Sequence, residues 1–163
     1  MKSFSRLAQR QTLAEARLRR HADYLRAYAA ARKRQSASMS WFLAPQAPQI
    51  PAPQTLEPRT PGAGVPPDSH SGPRVGLTVG KALGKAIQRN RIKRRMREAL
   101  RRHVELLPQG FDLIFHPRRI VLTMEFAQLE AEIVRILEQA RTEASRGFKS
   151  PAVTLQGSGI SAP

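Results

Sequence analysis

Eleven of the 29 residues from Arg74 to Arg102 are Lys or Arg, and Glu98 is the single acid among them. Residues of this type at this density bind a polyanion. The run is densest at Arg89-Asn90-Arg91-Ile92-Lys93-Arg94-Arg95-Met96-Arg97, where the spacing predicts a helix. Like charges three or four apart on a helix destabilise it by a few tenths of a kcal/mol per pair. A solvated face laced with ion pairs would need acids, and they are nearly absent. The better reading is a nucleic-acid partner, with the salt-dependent affinity that phosphate neutralisation brings. Asn90 adds a neutral hydrogen-bonding side chain within the run.

Just upstream, Gly80-Lys81-Ala82-Leu83-Gly84-Lys85-Ala86 imitates a nucleotide-binding P-loop. Its spacing is one residue short, and Ala86 stands where a hydroxyl should reach magnesium. The glycines are better read as a strand-to-helix turn, with Lys81 and Lys85 beside a helix N-terminus whose N–H groups suit a phosphate. Cleavage chemistry is poorly provided for. A metal-dependent nuclease needs clustered carboxylates, but Asp112 is alone on its predicted strand. Glu130, Glu132 and Glu138 read as a solvated helix face, and His21, His70, His103 and His116 lack metal-ligand spacing. Tyr24 and Tyr28, four apart on a predicted helix, have two readings: core packing, which the residues alone favour, and a stacking platform for unpaired bases.

The formal net charge of +16 is not spread evenly. Residues 1–34 hold ten basic and two acidic side chains, while residues 103–163 hold six and seven. There are therefore two basic footprints rather than a generally alkaline chain. The absence of cysteine excludes disulfides and zinc ribbons and fits a reducing, cytoplasmic location. No window is apolar enough to span a membrane. Arg6, Arg10 and Arg17 interrupt any signal-peptide core, although an Arg-rich, acid-poor start also imitates an organelle transit peptide.

Nine prolines fall between Pro45 and Pro73. Such a segment buries too little surface to offset its ordering entropy, so residues 45–73 are expected to be a disordered insert. Residues 1–13 and 147–163 are expected to be flexible ends. That leaves residues 14–44 and 74–146 as one RNA-binding domain. A helix is predicted from between Ala14 and His21 to about Ala31, with Leu18, Ala22, Leu25 and Ala29 as its apolar stripe. Strands follow at Met39–Leu43 and Arg74–Gly80. A long helix should run from Gly84 to about Leu106, burying Ile92, Met96, Ala99, Leu100 and His103. A strand at Phe111–Phe115 closes at Pro117. The last helix should start behind Thr123 as N-cap and bury Phe126, Leu129, Ile133, Ile136, Leu137 and Ala140. The order α-β-β-α-β-α implies an α+β fold, a small sheet with helices packed on it.

The stretch VGLTVGKALGKAIQRNRIKRRMREALR, Val75 to Arg101, closely resembles the bacterial ribonuclease P protein family. Arg17-Leu18, Asp23-Tyr24, Tyr28 and the strand from Phe111 to Arg118 extend the resemblance in order. It implies a four-stranded sheet with three helices, a short extra strand near Arg32–Ser36 and a left-handed β-α-β crossover, as in the second domain of ribosomal protein S5. That hand departs from the usual rule. It implies a protein subunit that helps a catalytic RNA remove the 5′ leader of precursor tRNA, with the catalytic centre and its magnesium on the RNA. No cofactor, membrane or small-molecule substrate is expected for the protein. Arg89, Asn90, Arg91, Lys93, Arg94 and Arg97 would contact the catalytic RNA, joined by Lys81 and Lys85 of the turn. Tyr24 and Tyr28 match aromatic positions lining a cleft for the single-stranded leader. The chain departs from the family pattern at Ala31, where glycine is common, at Pro117, where the strand end is expected to bend, and in the insert. The rivals are a structural or chaperone-like RNA-binder without a leader cleft, and a protein enzyme whose catalytic groups converge only on folding.

Overall fold

The structure, a computed structural model, describes residues 12–46 and 72–147. Most of the Pro-rich insert and both expected flexible ends lie outside the described residues. The elements are α1 (His21–Ala30), β1 (Arg32–Gln35), β2 (Met39–Pro45), β3 (Arg74–Leu77), α2 (Ala86–Arg102), β4 (Phe111–Pro117) and α3 (Phe126–Ser145), with short 3-10 turns between them. They form one four-stranded sheet in the order β1-β2-β4-β3. The β1–β2 and β2–β4 pairs are antiparallel, and β3 runs parallel to β4 with α2 as the crossover.

Alternation along the strands sorts side chains onto two faces. Met39, Trp41 and Leu43 of β2, Leu113 and Phe115 of β4 and Val75 of β3 face the main core. There they meet Ile92, Met96, Ala99 and Leu100 of α2 and Leu129, Ile133, Ile136, Leu137 and Ala140 of α3. Burying a side chain of this size is worth about 1.5–3 kcal/mol, so this face carries most of the apolar stabilisation. The opposite face is smaller: Leu18, Ala27, Ala44 and Ile114 are buried there, with Tyr24, Tyr28 and Phe42 packed against them. It is the seat of α1.

Several expectations need correction. Helix α1 starts at His21, the late end of the expected range, so Leu18 is not part of its stripe but precedes it, buried in an extended segment alongside β3. Its buried side is Ala27 flanked by the half-buried Tyr24 and Tyr28, while Ala22, Leu25 and Ala29 are exposed. Tyrosines that bury a ring and hydrogen-bond their hydroxyl outcompete leucine for the inward position. Strand β3 ends at Leu77 rather than Gly80, and α2 ends at Arg102, followed by a 3-10 turn at Val104–Leu106. Thr123 closes the 3-10 turn Arg119–Leu122, and Glu125 is the residue that precedes α3. Pro45, expected in the insert, ends β2 opposite Phe111. The extra strand is present as β1. Ala31 has an ordinary extended backbone, φ −79° and ψ 150°, so glycine is not needed there. Pro117 stays within β4, paired with Met39.

Asp112, the sole acid of β4, has a structural task. It accepts two bonds from Arg74, Nε and Nη2 each at 2.8 Å, and Arg74 also lies 3.6 Å from Asp23 of α1. Glu132 is equally far from a solvated face. It accepts bonds from Ser38 N–H at 3.1 Å, Ser38 Oγ at 2.6 Å and Ser36 Oγ. Burial works to raise the pKa of Glu132, and the three donors outweigh it and leave the carboxyl more acidic than usual. Glu130 is held by His103 and Arg102. Of the three glutamates that read as surface charge, Glu132 ties α3 to the β1–β2 turn and Glu130 ties it to the end of α2, while Glu138 is exposed as expected.

Two stability measurements test this frame. Asp112→Ala leaves the Arg74 guanidinium half-paired beside a buried strand and is expected to cost about 3 kcal/mol, the lower end for breaking a buried pair. A loss under about 1 kcal/mol in urea titration would place the restraint elsewhere. The roots of the insert touch: Gln46 Nε2 donates to the Gly72 carbonyl at 3.0 Å and the Phe111 carbonyl at 3.1 Å. Deleting residues 47–71 and joining Gln46 to Gly72 by a short turn is expected to keep one cooperative thermal transition. Shortening the loop should add stability of about 1 kcal/mol. Loss of cooperativity would make the insert structural.

Candidate nucleic-acid interface

The turn before α2 depends on one glycine. Gly84 has φ +124°, and a Cβ there would meet Gln88 Oε1 at 2.0 Å. That space lets Gln88 fold back and accept the Lys85 backbone N–H at 3.2 Å, starting the helix. Lys81 and Lys85 are exposed on either side of this turn. From it, α2 lays its apolar stripe on the sheet and turns its cations outward.

The eleven cations of the basic run divide into two sets. Arg74 is bound to Asp112 and Asp23. Arg95 donates to the carbonyls of Leu122, at 2.8 Å, and Met124, fixing the segment that leads into α3. Arg101 and Arg102 are paired with Glu98, whose carboxyl they hold below the usual range. Among the described residues, no ion pair involves the other seven: Lys81, Lys85, Arg89, Arg91, Lys93, Arg94 and Arg97. With Asn90, which is exposed between Arg89 and Arg91, these are the residues singled out from the sequence. Nε of Arg89 is buried without a hydrogen-bond partner among the described residues. This set has the composition of a phosphate-binding surface with no internal counter-charge.

The tyrosines lie on the other face of the sheet, and they differ from each other. Tyr24 is built into the frame: its hydroxyl accepts the Leu77 N–H at 3.2 Å and donates to the Leu18 carbonyl at 3.5 Å. Its ring occupies the space above Gly76, where a Cβ would come within 2.7 Å of it. Burial raises its pKa despite the opposing effects of the Leu77 N–H and of Arg17 and Arg97. Tyr28 heads a cluster. Its ring meets Phe42 edge-on at 5.1 Å and His116 edge-on at 5.6 Å, and Phe42 lies 4.9 Å from His116. Lys33 of β1, paired in register with Phe42, places a charge beside the group. Phe42, His116 and Lys33 are the members that spacing could not find. They stand on three strands and meet Tyr28 only in the folded sheet. The alternation of β2 puts Phe42 opposite Trp41 and could have flagged it.

The two sites meet around β3. This strand is an edge, so α2 on one face and α1 on the other approach each other past it. A cavity of about 40 Å³ lies at the junction, lined by Arg17, Leu18, Tyr24 and Gly76 from one side and Arg97 and Leu100 from the other. Arg97 of α2 and Tyr24 of α1 thus border the same cavity, with Arg17 beside them.

The described residues bring no three of His, Asp or Glu together in a metal-binding group. His103 bonds Glu130, and His116 bonds Tyr28. No helix among them is long and apolar enough to cross a membrane.

A family model described as Ribonuclease P matches residues 13–141. The ribonuclease P protein component of Chloroflexus aggregans is 47% identical over 77 residues, covering 47% of this chain and 57% of that one. That of Pelotomaculum thermopropionicum is 35% identical over 72 residues, covering 44% and 64%. The chain thus spans about six tenths of the length of these curated relatives. Among solved structures, the RNase P protein of Thermotoga maritima superposes with a TM-score of 0.56 at 22% identity, covering 76% of this chain and 96% of that one. The RNase P protein of Staphylococcus aureus gives a TM-score of 0.56 at 22% identity, covering 77% and 95%. These likenesses carry the fold, three helices on a four-stranded mixed sheet. With the family model matching most of its length, the chain belongs to the Ribonuclease P family.

Proposed function

We propose that the chain is the protein subunit of a cytoplasmic ribonuclease P ribonucleoprotein, an endoribonuclease that removes the 5′ leader of precursor tRNA. In this reading the exposed face around α2 holds the catalytic RNA through Lys81, Lys85, Arg89, Asn90, Arg91, Lys93, Arg94 and Arg97. The cleft under α1, with Tyr24 and Tyr28, holds the leader. One observation supports it: Arg97, one of the seven cations without an ion-pair partner among the described residues, lines the same cavity as Tyr24, so the basic helix and the tyrosine helix share a border. A simple RNA-coating protein has no use for that shared border. A protein joining two RNAs has.

The reading leaves the bond-breaking step to the RNA, together with the magnesium expected there. The acids near the basic face support this division. Glu98, Glu130, Asp112 and Asp23 are each engaged by arginine or histidine and serve the fold.

Reconstitution with the cognate catalytic RNA tests the whole reading: the protein should promote leader removal at low magnesium. Arg89→Ala with Arg91→Ala should weaken binding to that RNA and reduce the salt slope of log K by roughly two, one for each phosphate no longer neutralised. Tyr24→Ala with Tyr28→Ala should spare that binding and reduce the preference for leader-bearing over leaderless substrate about tenfold, since stacking is worth about 1–3 kcal/mol per base. Because Tyr24 also braces Leu18 and Leu77, Tyr28→Ala with Phe42→Ala is the companion pair. Tight binding to the catalytic RNA with no leader preference to lose would make the protein an architectural RNA-binder.

A further inference from the structure

Tyr28 and His116 are far apart in sequence, yet their polar atoms share a single proton path. The Tyr28 hydroxyl oxygen lies 2.5 Å from His116 Nε2 and 3.1 Å from Thr78 Oγ1. A phenol has one proton to give, so the tautomer and the protonation of His116 together decide where it goes. With the ring neutral and its proton on Nδ1, Nε2 accepts the Tyr28 proton and the Tyr28 oxygen accepts from Thr78. With both nitrogens protonated, Nε2–H donates to the Tyr28 oxygen. The Tyr28 proton must then turn away, toward Thr78 or toward an acceptor on the open side of the cleft.

We propose that His116 is a positioning residue of the cleft: by taking up a proton from solvent as single-stranded RNA binds, it turns the Tyr28 hydroxyl into a donor toward the RNA and adds a cation beneath it. This rests on the reading of the cleft as an RNA site. The surroundings of His116 are set for such a change. From α1 it meets the Tyr28 hydroxyl, which also bonds Thr78 just past β3, and from β2 it meets the Phe42 ring, with Ser40 as the register partner of His116. Lys33 of β1 is the charged group acting on it, and no carboxylate among the described residues does so. Burial first, and then Lys33, hold the imidazole below its ordinary pKa, so the free protein keeps it neutral near pH 7. RNA phosphates beside Lys33 reverse that repulsion. The sign follows: the pKa is lowered in the free protein and raised by the anion, so RNA binding takes up a proton and strengthens as pH falls.

The test uses the full chain and an oligouridylate, whose bases take up no proton in the range of interest. Affinity is measured from about pH 8 to about pH 5.5, around an ordinary imidazole, at constant ionic strength. Wild type should bind tighter at the low end, about tenfold for each unit by which RNA raises the His116 midpoint. His116→Asn should lose that gain. In NMR of the wild-type protein, the His116 ring resonances should titrate at higher pH with oligouridylate than without it. The NMR comparison stands by itself if the variant does not fold. An unmoved His116 midpoint, or a pH gain that survives in His116→Asn, would overturn the proposal. Binding that is lost in Tyr28→Ala with Phe42→Ala, but is flat in pH for wild type, sinks this inference and spares the cleft reading. Binding indifferent to that pair sinks both.

Discussion

The bond on which the rest of this molecule depends is the one from Arg74 to Asp112. Its two parallel hydrogen bonds fix β3 against β4, with Asp112 facing Arg74 in the parallel register. The third interaction of Arg74, with Asp23, brings the first turn of α1 onto the same spot. The Asp112 side chain is only 5% exposed and that of Arg74 19%, so water screens the pair weakly. Because β3 sits at the sheet edge, this one guanidinium sets where the chain enters α2 and where α1 rests. It therefore sets the distance between the basic face and the tyrosine cleft. Each of those surfaces could fold locally without it, but their relation to each other could not.

The same division of the arginines explains how a chain with net charge +16 tolerates its central helix. Arg74, Arg95, Arg101 and Arg102 are engaged by carboxylates and carbonyls within the fold. Self-repulsion among the other cations of the run is opposed by the wholly buried Ile92, Met96 and Ala99 beneath them. Ile92 and Met96 alone, at about 2 kcal/mol each, outweigh several like-charge pairs at a few tenths. The helix can carry an unneutralised surface because its other side is core.

What could be read in the sequence follows from how local each signal is. The stripe of α3 and the buried positions of α2 obey a period within one helix, and the structure buries them as expected except Phe126 and His103, which sit at helix ends and are only partly covered. The apolar stripe expected for α1 is not realised, because the inward face is chosen by hydroxyl bonds to Leu18 and Leu77 and by a space above Gly76 that lies some 50 residues downstream in the chain. Strand β1, Arg-Lys-Arg-Gln, has no apolar alternation at all. It pairs as an edge, with Arg34 reaching Glu143 of α3. The seven cations without an ion-pair partner among the described residues are visible as composition, but their separation from the structural four requires the partners Asp112, Leu122, Met124 and Glu98 to be in place.

His116 shows the limit most clearly. As a lone histidine without ligand spacing it carries no sequence signal, and its meaning comes from Tyr28, Phe42, Thr78 and Lys33, each on a different segment. The cleft that joins them is floored by a sheet whose opposite face is saturated with aliphatic and aromatic core. On this second face the Arg74–Asp112–Asp23 cluster and Tyr24, whose hydroxyl is bonded to two backbone groups, hold the frame, while the Tyr28 hydroxyl bonds the side chains of Thr78 and His116. Of two tyrosines made equivalent by a spacing of four residues, one is thus a strut and the other keeps a polar edge toward the open cleft. The division of labour proposed for the basic helix and the cleft is repeated, on a smaller scale, within α1 itself.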